Sequence, residues 1–272
     1  MRIFARAGVL ALAMMLSSGC SNGAGQAGGE TALADPARQD PAAQTSEPRL
    51  GLVTSLPIYW TGASGVADIL SAQGEVHWVR QDLERAYVLV PLDTLAAQGE
   101  GGTIEPSAGL AGLKRLFVAQ PRALSPADNV ALDEWVRGGG SLLFVIDPML
   151  TEHSEFGIGD PRRPTDVGLV PPVFARWGLA MTYEPSPDGN PSTFDLDDTE
   201  IVAFEYGELA VRDASGPASR CQILAQGLVA ACTIGKGRAV IVADASFLEP
   251  DEEPVEDRPA LQALLALAFD RN

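Results

Sequence analysis

Runs of apolar residues, separated by turn-forming Gly, Pro and Asp, divide the chain into short strands and helices. The continuous apolar runs that suit buried strands are residues 50–57, 85–91, 113–120, 141–146 and 238–243. Helical spacing of apolar residues occurs over 63–72, 126–137 and 259–269. Because strands and helices alternate, the pattern predicts an α/β fold with a mostly parallel sheet.

The clearest predicted element is the helix over residues 126–137. Ser125 is a good N-cap, Pro126 occupies the first turn, and Asp128 holds the capping-box position. Three consecutive glycines end the helix, and an apolar strand follows at once. Since another apolar strand precedes the helix, this unit predicts a parallel strand–helix–strand crossover.

Residues 181–232 carry shorter, alternating segments that predict an antiparallel extension of the sheet. Within it, Cys221 and Cys232 lie equally far from Gln226 and Gly227. A tight hairpin centred on that pair places the two cysteines opposite each other, close enough for a disulfide. The alternative is a pair of buried free thiols.

The first twenty residues are typical of an export signal. Arg2 and Arg6 precede an apolar run over residues 7–16, which is too short to cross a membrane. The ending LSSGC resembles the lipobox of bacterial lipoproteins, although Ser17 stands where that family usually has Leu. This resemblance implies that Cys20 is lipidated, with a plain signal peptide as the alternative.

The predicted organisation is therefore a signal peptide over residues 1–20, a disordered tether over 21–48 and a single α/β domain over 49–272. The tether is rich in Gly, Ala, Gln and Pro and has no apolar periodicity. These features predict an exported, membrane-anchored lipoprotein that faces the periplasm. Whether the anchor lies in the inner or the outer membrane is left open.

Composition narrows the classes of partner. The formal net charge of −17 repels phosphate backbones, so sequence-independent binding of nucleic acid is excluded. A hydrophobic content of 46% is enough for a packed core. The acidity otherwise indicates a well-solvated surface.

The stretch RLFVAQPRALSPADNVALDEWVRGGGSLLFVIDP, residues 115–148, resembles the extracytoplasmic domain of GldG-like auxiliary components of ABC transport systems. The stretch GKGRAVIVADASF, residues 235–247, resembles the final strand of that family. The resemblance implies a flavodoxin-like sheet, related to class I glutamine amidotransferases and used without catalysis. It also implies ABC transporter permease or ATPase subunits as partners, beside the membrane contacted by the lipid anchor. Typical members carry transmembrane helices, whereas this chain has only a lipidation signal.

Ligands of open α/β sheets bind beyond the carboxyl ends of the strands, so polar residues at those ends are the candidate site. Two carboxylates follow apolar strands, and the loop after the first of them is dense in charge. The resulting set of ligand- or partner-binding residues is Asp147, Glu152, His153, Arg162, Arg163 and Asp244. The alternative is that the two aspartates cap backbone N–H groups and that the loop charges form surface ion pairs.

Other chemistries lack a signal in the sequence. No His-x-x-x-His or paired-cysteine spacing predicts a metal, and no cofactor motif is present. Neither remaining cysteine lies at a strand-to-helix elbow, and Ser246 lacks the flanking glycines of one, so no catalytic residue is predicted. The predicted function is a non-catalytic accessory subunit of an ABC-type transport system. The alternatives are an envelope hydrolase that uses the carboxylate-rich strand ends, and a ligand-binding lipoprotein.

Overall fold

A computed structural model describes residues 47–59, 76–151, 154, 156–213, 219–249 and 258–270. These residues belong to one compact unit that begins at Ser46. The predicted signal peptide, the lipidation site Cys20, nearly all of the tether and the helix predicted at 63–72 lie outside the described residues. None of the helices within the described ranges is long and apolar enough to cross a bilayer.

A seven-stranded mixed sheet forms the centre of the domain. Its strands are β1 (Arg49–Thr54), β2 (Val88–Pro91), β5 (Arg115–Ala119), β6 (Ser141–Val145), β11 (Ser219–Leu224), β12 (Val229–Ile234) and β13 (Gly237–Val242). Their order across the sheet is β11-β12-β13-β6-β5-β1-β2. The ladders from β13 to β2 are parallel, and both ladders of β12 are antiparallel. The carboxyl ends of β1, β5, β6 and β13 therefore meet at one edge.

Helices cover both faces of this sheet. They are α1 (Trp78–Leu83), α2 (Ala108–Ala111), α3 (Pro126–Gly138), α4 (Pro172–Trp177) and α5 (Arg258–Phe269). Apolar residues of α1 and α5 join one buried cluster, and those of α3 and α4 join the other. Because β5, β6 and β13 are covered on both faces, their sequences are almost continuously apolar.

Three two-stranded antiparallel sheets surround the central one. They pair β3 (Ala96–Gln98) with β4 (Ile104–Pro106), β7 (Leu179–Tyr183) with β10 (Gly207–Val211), and β8 (Ser192–Leu196) with β9 (Thr199–Ala203). The last two pairs lie in the long connection from β6 to β13, which the sequence interpretation treated as one extension together with the cysteine hairpin. The hairpin instead continues the central sheet, because β12 pairs directly with β13.

Helix α3 ends one residue later than the sequence predicts. The Ser125 hydroxyl accepts a hydrogen bond from the Asp128 N–H at 3.0 Å, and both halves of the capping box are present. The Asp128 carboxylate also accepts the N–H groups of Leu95 and Ala96, which fastens β3 to the start of the helix. Gly139 ends the helix with a φ of 121°, a conformation that favours glycine.

The cysteine hairpin has the predicted register. Cys221 lies opposite Cys232, and a disulfide joins them. The connection between the strands is four residues long, from Ala225 to Leu228, and it is centred on the predicted pair. Ala225 and Gln226 both adopt positive φ within this four-residue loop, which takes the place of a two-residue turn.

Two elements escape the sequence interpretation. Helix α1 begins beside the buried His77, whose imidazole accepts the N–H of Val79, and the short segment WVRQDL gave too few apolar positions to predict it. The glycine-rich stretch 99–107 has no apolar periodicity, yet its second half contains strand β4. That strand is three residues long and is stabilised by packing against α3, which a local pattern does not reveal.

Candidate functional site

Asp147 and Asp244 follow neighbouring parallel strands, and both lie fully buried at the carboxyl edge of the sheet. The Asp147 carboxylate accepts the Met149 N–H at 2.8 Å and the Ala245 N–H at 3.1 Å. The Asp244 carboxylate accepts the N–H and hydroxyl of Ser246 at 3.0 and 2.7 Å. It also accepts the Phe204 N–H at 3.3 Å. The two aspartates therefore cap the chain where it leaves each strand.

Burial perturbs the proton affinity of both carboxyls. Desolvation raises the pKa of Asp147 to about 6, although the hydrogen bonds from Met149 and Ala245 oppose the rise and the charge of Glu205 adds to it. Desolvation, together with the charge of Asp147, raises the pKa of Asp244 well above its ordinary value. At neutral pH the pair therefore holds a proton that exposed aspartates would have lost.

Gln120, the first residue after β5, binds Asp147 from the other side. Its side-chain oxygen accepts the Asp147 N–H at 2.8 Å, and its amide N–H₂ donates to the carbonyls of Asp147 and Thr165 at 3.1 and 2.8 Å. The Ser55 hydroxyl donates to the Gln120 carbonyl and accepts the Thr165 N–H. These bonds hold the loop after β6 down on the edge of the sheet.

Gly168 lets that loop return to Asp147. Its N–H donates to the Asp147 carbonyl at 2.7 Å, and a Cβ at this position would lie 2.5 Å from the same carbonyl oxygen. A side chain would force the two segments apart. The edge of the sheet is thus closed by backbone as well as by side chains.

The two arginines predicted as site residues pair with carboxylates of their own loop. Arg162 binds Asp160 through two nitrogens at 3.0 and 2.8 Å, and this pairing lowers the pKa of Asp160 to about 2. Arg163 binds Asp166 and also donates to the Phe156 carbonyl at 2.7 Å. Both guanidinium groups lie on the surface and stabilise the loop.

A second polar pair near this edge was not foreseen in the sequence. The Tyr183 hydroxyl donates to Glu205 at 2.6 Å, which raises the pKa of Tyr183 to about 12. Glu205 has a φ of 49° and also accepts the Ser186 N–H. It lies in a turn without periodicity, and only its charge near Asp147 marks it.

The carboxyl edge brings Asp147 and Asp244 together, but it leaves no exposed oxygen on either. Glu152 and His153, the other predicted members, lie outside the described residues. In the ranges that the structure describes, no three potential ligands cluster to hold a metal ion. The described part of this edge has the geometry of a capped and closed loop junction, which was the alternative interpretation of the two aspartates.

An open groove lies instead between α3 and α4. Its volume is about 450 Å³, and its wall is mostly apolar. The lining residues are Leu124, Pro126, Asn129, Val130, Asp133, Glu134, Pro172, Val173 and Arg176. Val130 is 44% exposed there, and Leu169, in the loop that leads into α4, is 62% exposed.

Polar side chains fix the two walls of the groove to each other. The Asn129 side chain donates to the Ser125 carbonyl and accepts the Val173 N–H at 3.2 Å, so it joins α3 to α4. Asp133 accepts hydrogen bonds from Arg137, Arg176 and the Trp177 indole at 2.6–2.8 Å. Burial alone would raise the pKa of Asp133, but these three bonds together lower it.

Glu134 is the remaining acid of the groove. It is exposed, and its carboxylate makes no ion pair or side-chain hydrogen bond with any described residue. The groove therefore offers an apolar wall, a rigid frame and one unneutralised carboxylate. This is a set that a small amphiphilic ligand can use.

Comparisons with known proteins return structures but no families. No protein-family model matches the chain, and no curated protein matches it. An exo-β-1,4-mannosidase from Opitutaceae bacterium strain TAV5 is similar at 15% identity and a TM-score of 0.45, over 82% of this chain and 36% of the enzyme. A β-galactosidase from Bacillus circulans sp. alkalophilus is similar at 11% identity and a TM-score of 0.44, over 80% of this chain and 31% of the enzyme. A β-galactosidase from Rahnella sp. R3 is similar at 10% identity and a TM-score of 0.45, over 80% of this chain and 31% of the enzyme.

These findings correct the interpretation drawn from the sequence. The similar structures are glycoside hydrolases and give no support to the assignment as a GldG-like component of ABC transport systems, which is therefore dropped. The flavodoxin-like, amidotransferase-like fold class and the non-catalytic role beside an ABC transporter, which that assignment implied, are dropped with it. The permease and ATPase partners stay untested. The chain spans about a third of the length of these hydrolases. Their activities are therefore not assigned to it, although an enzymatic role stays open.

Proposed function

We propose that this protein is an exported, lipid-tethered binding protein whose ligand occupies the groove between α3 and α4. The observation that carries the proposal is the groove itself, which has about 450 Å³ of volume and a mostly apolar wall. Small-molecule sites are typically concave, largely apolar and about 300–1,000 Å³ in volume. The export signal and Cys20 at its end support the exported, tethered state.

The chemistry of the groove selects a class of ligand. Glu134 offers a carboxylate at its rim, whereas Arg176 is already paired with Asp133. The net charge of −17 further favours a cation over an anion on this surface. The ligand class is therefore an amphiphile with an apolar body and an amine or other cationic group.

The groove is also rigid enough to be preformed. Asn129 and Asp133 bind α4 from α3 through the bonds described above, and Phe174 packs against Trp177 beneath them with ring centroids 5.9 Å apart. A preformed site loses little conformational entropy when the ligand binds. Binding should raise the unfolding temperature by an amount that grows with the logarithm of the ratio of ligand concentration to Kd.

The test is a thermal-shift screen of arylalkyl amines, each paired with the corresponding alcohol. We expect amines to raise the unfolding temperature more than their alcohols. Val130→Trp, which fills the groove, should weaken binding at least about tenfold, whereas Val202→Trp, at a similarly exposed valine on β9, should not. If amines and alcohols bind equally, or if both tryptophan variants behave alike, the groove is not the site.

An envelope hydrolase is the second candidate, and one observation favours it. Asp147 has a pKa of about 6 beside a second carboxyl whose pKa is also raised, and a carboxylic acid that keeps its proton near neutral pH can act as a general acid. Glu152 and His153 follow in the next loop. This reaction would require the closed edge of the sheet to open to substrate.

The hydrolase is tested by a broad screen of chromogenic glycosides, esters and phosphate esters. An activity that Asp147→Asn and His153→Ala abolish, and that Val130→Trp leaves unchanged, would support it. The circular dichroism spectrum of each variant must match that of the wild type, because Asp147 also caps the loop. No turnover on any substrate, with groove binding intact, decides for the binding protein.

A further inference from the structure

The two lysines of this chain, Lys114 and Lys236, line the same cavity. The cavity lies at the amino-terminal edge of the central sheet, opposite the capped aspartates, and has a volume of about 1,120 Å³. Arg115, the first residue of β5, lines it as well. Three cations therefore meet at one cavity in a protein of net charge −17.

Within the described ranges, the side chains of Lys114, Arg115 and Lys236 make no hydrogen bond or ion pair. Two carboxylates, Glu134 and Asp270, also line the cavity without pairing with them, so the lining has one excess positive charge. Unpaired cations at one concave site are a binding arrangement for anions.

The sheet extends this positive charge along its edge. Arg115 lies opposite Ser141, Ser141 opposite Arg238, Arg238 opposite Thr233, and Thr233 opposite Arg220. Three arginines thus share one row across the start of the strands. The buried Asp147 and Asp244 lie at the other end of the same strands.

The chain joins the domain at this positive edge. Strand β1 runs parallel to β5, and Arg49 begins it at the end where Arg115 begins β5. The described chain therefore enters β1 at the edge that carries the cavity.

We propose that this cavity binds an oxyanion of the phosphate class, with Lys114, Arg115 and Lys236 as the cations and the Ser141 hydroxyl as a neutral donor. Oxyanions are bound by such sets of cations and hydroxyls. The cavity adjoins the groove between α3 and α4, and Glu134 lines both. The phosphate group is supplied either by an anionic lipid headgroup or by a dissolved phosphate, and the two sources are distinguished below.

The test compares the full-length wild type with Lys114→Gln/Lys236→Gln. The matched control is Arg122→Gln/Arg212→Gln, which removes two exposed positive charges outside the cavity. Inorganic phosphate is titrated against each protein at low salt and followed by NMR chemical shifts. In parallel, partition onto phosphatidylglycerol-containing vesicles is compared with partition onto pure phosphatidylcholine. Because the apolar N-terminal segment acts on both vesicles, the difference isolates the contribution of charge.

We expect saturable phosphate binding by the wild type and the control, and a loss of about 10- to 30-fold in the lysine variant. A preference for anionic vesicles that the lysine variant also loses identifies the lipid headgroup as the source. Phosphate binding without that preference identifies a dissolved phosphate. The proposal is overturned if the wild type shows neither phosphate binding nor a preference for anionic vesicles. It is also overturned if the lysine variant and the control lose phosphate affinity equally. Lys114 and Lys236 do not line the groove, so amine binding is measured on the same variants. Loss of phosphate binding with amine binding retained separates this proposal from the proposed function.

Discussion

The side-chain amide of Gln120 pairs with the backbone of Asp147 in both directions, donating to its carbonyl at 3.1 Å and accepting its N–H at 2.8 Å. The pair reproduces, with a side chain, the two hydrogen bonds that another strand would supply. It lies between the ends of β5 and β6, where the main-chain ladder stops. The closed state of this edge of the sheet depends on it.

Replacing Gln120 tests this role. Gln120→Leu removes both bonds to Asp147 and the bond to the Thr165 carbonyl, so we expect a loss of about 2 to 4 kcal/mol in the free energy of unfolding. Gln120→Glu keeps the acceptor and removes the amide donor. It should lose less stability at acidic pH than at neutral pH, because a protonated carboxyl can donate a hydrogen bond and a carboxylate cannot. Urea unfolding measures both. A loss under about 0.5 kcal/mol for Gln120→Leu would contradict the account.

The Asp147–Asp244 pair makes stability depend on pH in a defined direction. Because burial raises both pKa values, the folded state binds protons more tightly than the unfolded state. This contribution is fully present below about pH 4 and is lost as pH rises through the folded pKa, which for Asp147 is about 6. It amounts to about 3 kcal/mol for Asp147, since one pKa unit corresponds to about 1.4 kcal/mol.

The measurement is the free energy of unfolding of the wild type and of Asp147→Asn between pH 4.5 and 8. Asparagine does not titrate, and its amide nitrogen meets the Ala245 N–H unfavourably. We expect the variant to be less stable, with a difference that is largest at pH 4.5 and shrinks toward pH 8. A difference that stays constant or grows with pH would mean that Asp147 is ionised throughout.

How far the sequence predicts this molecule depends on whether a feature is local. Helix α3 is specified by Ser125, Pro126 and Asp128, and the cysteine register follows from symmetry about Gln226 and Gly227, so both are readable without the fold. Helix α1, strand β4 and the pairing of Gln120 depend on contacts between distant segments. The sequence pattern of a short segment does not predict contacts with distant segments.

The same distinction applies to the sites. The sequence places Asp147 and Asp244 correctly at strand ends, but it cannot show that backbone N–H groups use up their oxygens. Neither the groove between α3 and α4 nor the cavity with both lysines has a motif. The first is formed by Val130 and Val173 from helices about forty residues apart in sequence, and the second by Lys114 and Lys236 from opposite halves of the chain.

Trp135 supports the packing of α3 on the sheet. It is 7% exposed, its indole donates to the Leu113 carbonyl at 3.2 Å, and a Cβ on Gly140 would meet its ring at 2.5 Å. Trp135→Ala should therefore cost about 3 to 5 kcal/mol in thermal or urea unfolding. Arg162→Ala, on the exposed loop, should cost under about 0.5 kcal/mol. Equal losses would show that α3 is not packed in this way.

The two loop arginines should differ from each other. Arg163 holds both Asp166 and the Phe156 carbonyl, whereas the exposed Arg162 binds only Asp160, two residues before it. We expect Arg163→Ala to increase proteolytic cleavage of the loop between Asp147 and Gly168 several-fold, and Arg162→Ala to leave it unchanged. Identical cleavage rates in the two variants would remove Arg163 from the contacts that order the loop.

The disulfide joins two strands of the central sheet, so it should stabilise the hairpin. The double variant Cys221→Ser/Cys232→Ser should lose about 2 to 3 kcal/mol in the free energy of unfolding. A reductant should lower the wild type to the same stability and leave the stability of the variant unchanged. The control is the mass of the unreduced protein after alkylation. Two alkylated thiols at these positions in the exported protein would rule the bond out.

The groove between α3 and α4 is tested most directly by mapping amide chemical shifts while the tightest-binding arylalkyl amine is titrated. We predict that the largest changes fall on residues 124–134 and 172–176 and saturate with one affinity. Glu134→Gln should weaken that affinity about three- to fivefold, whereas Glu200→Gln should leave it unchanged. Changes centred on Asp147, Asp244 and Ser246, with the groove silent, would contradict the account and place the ligand at the strand ends.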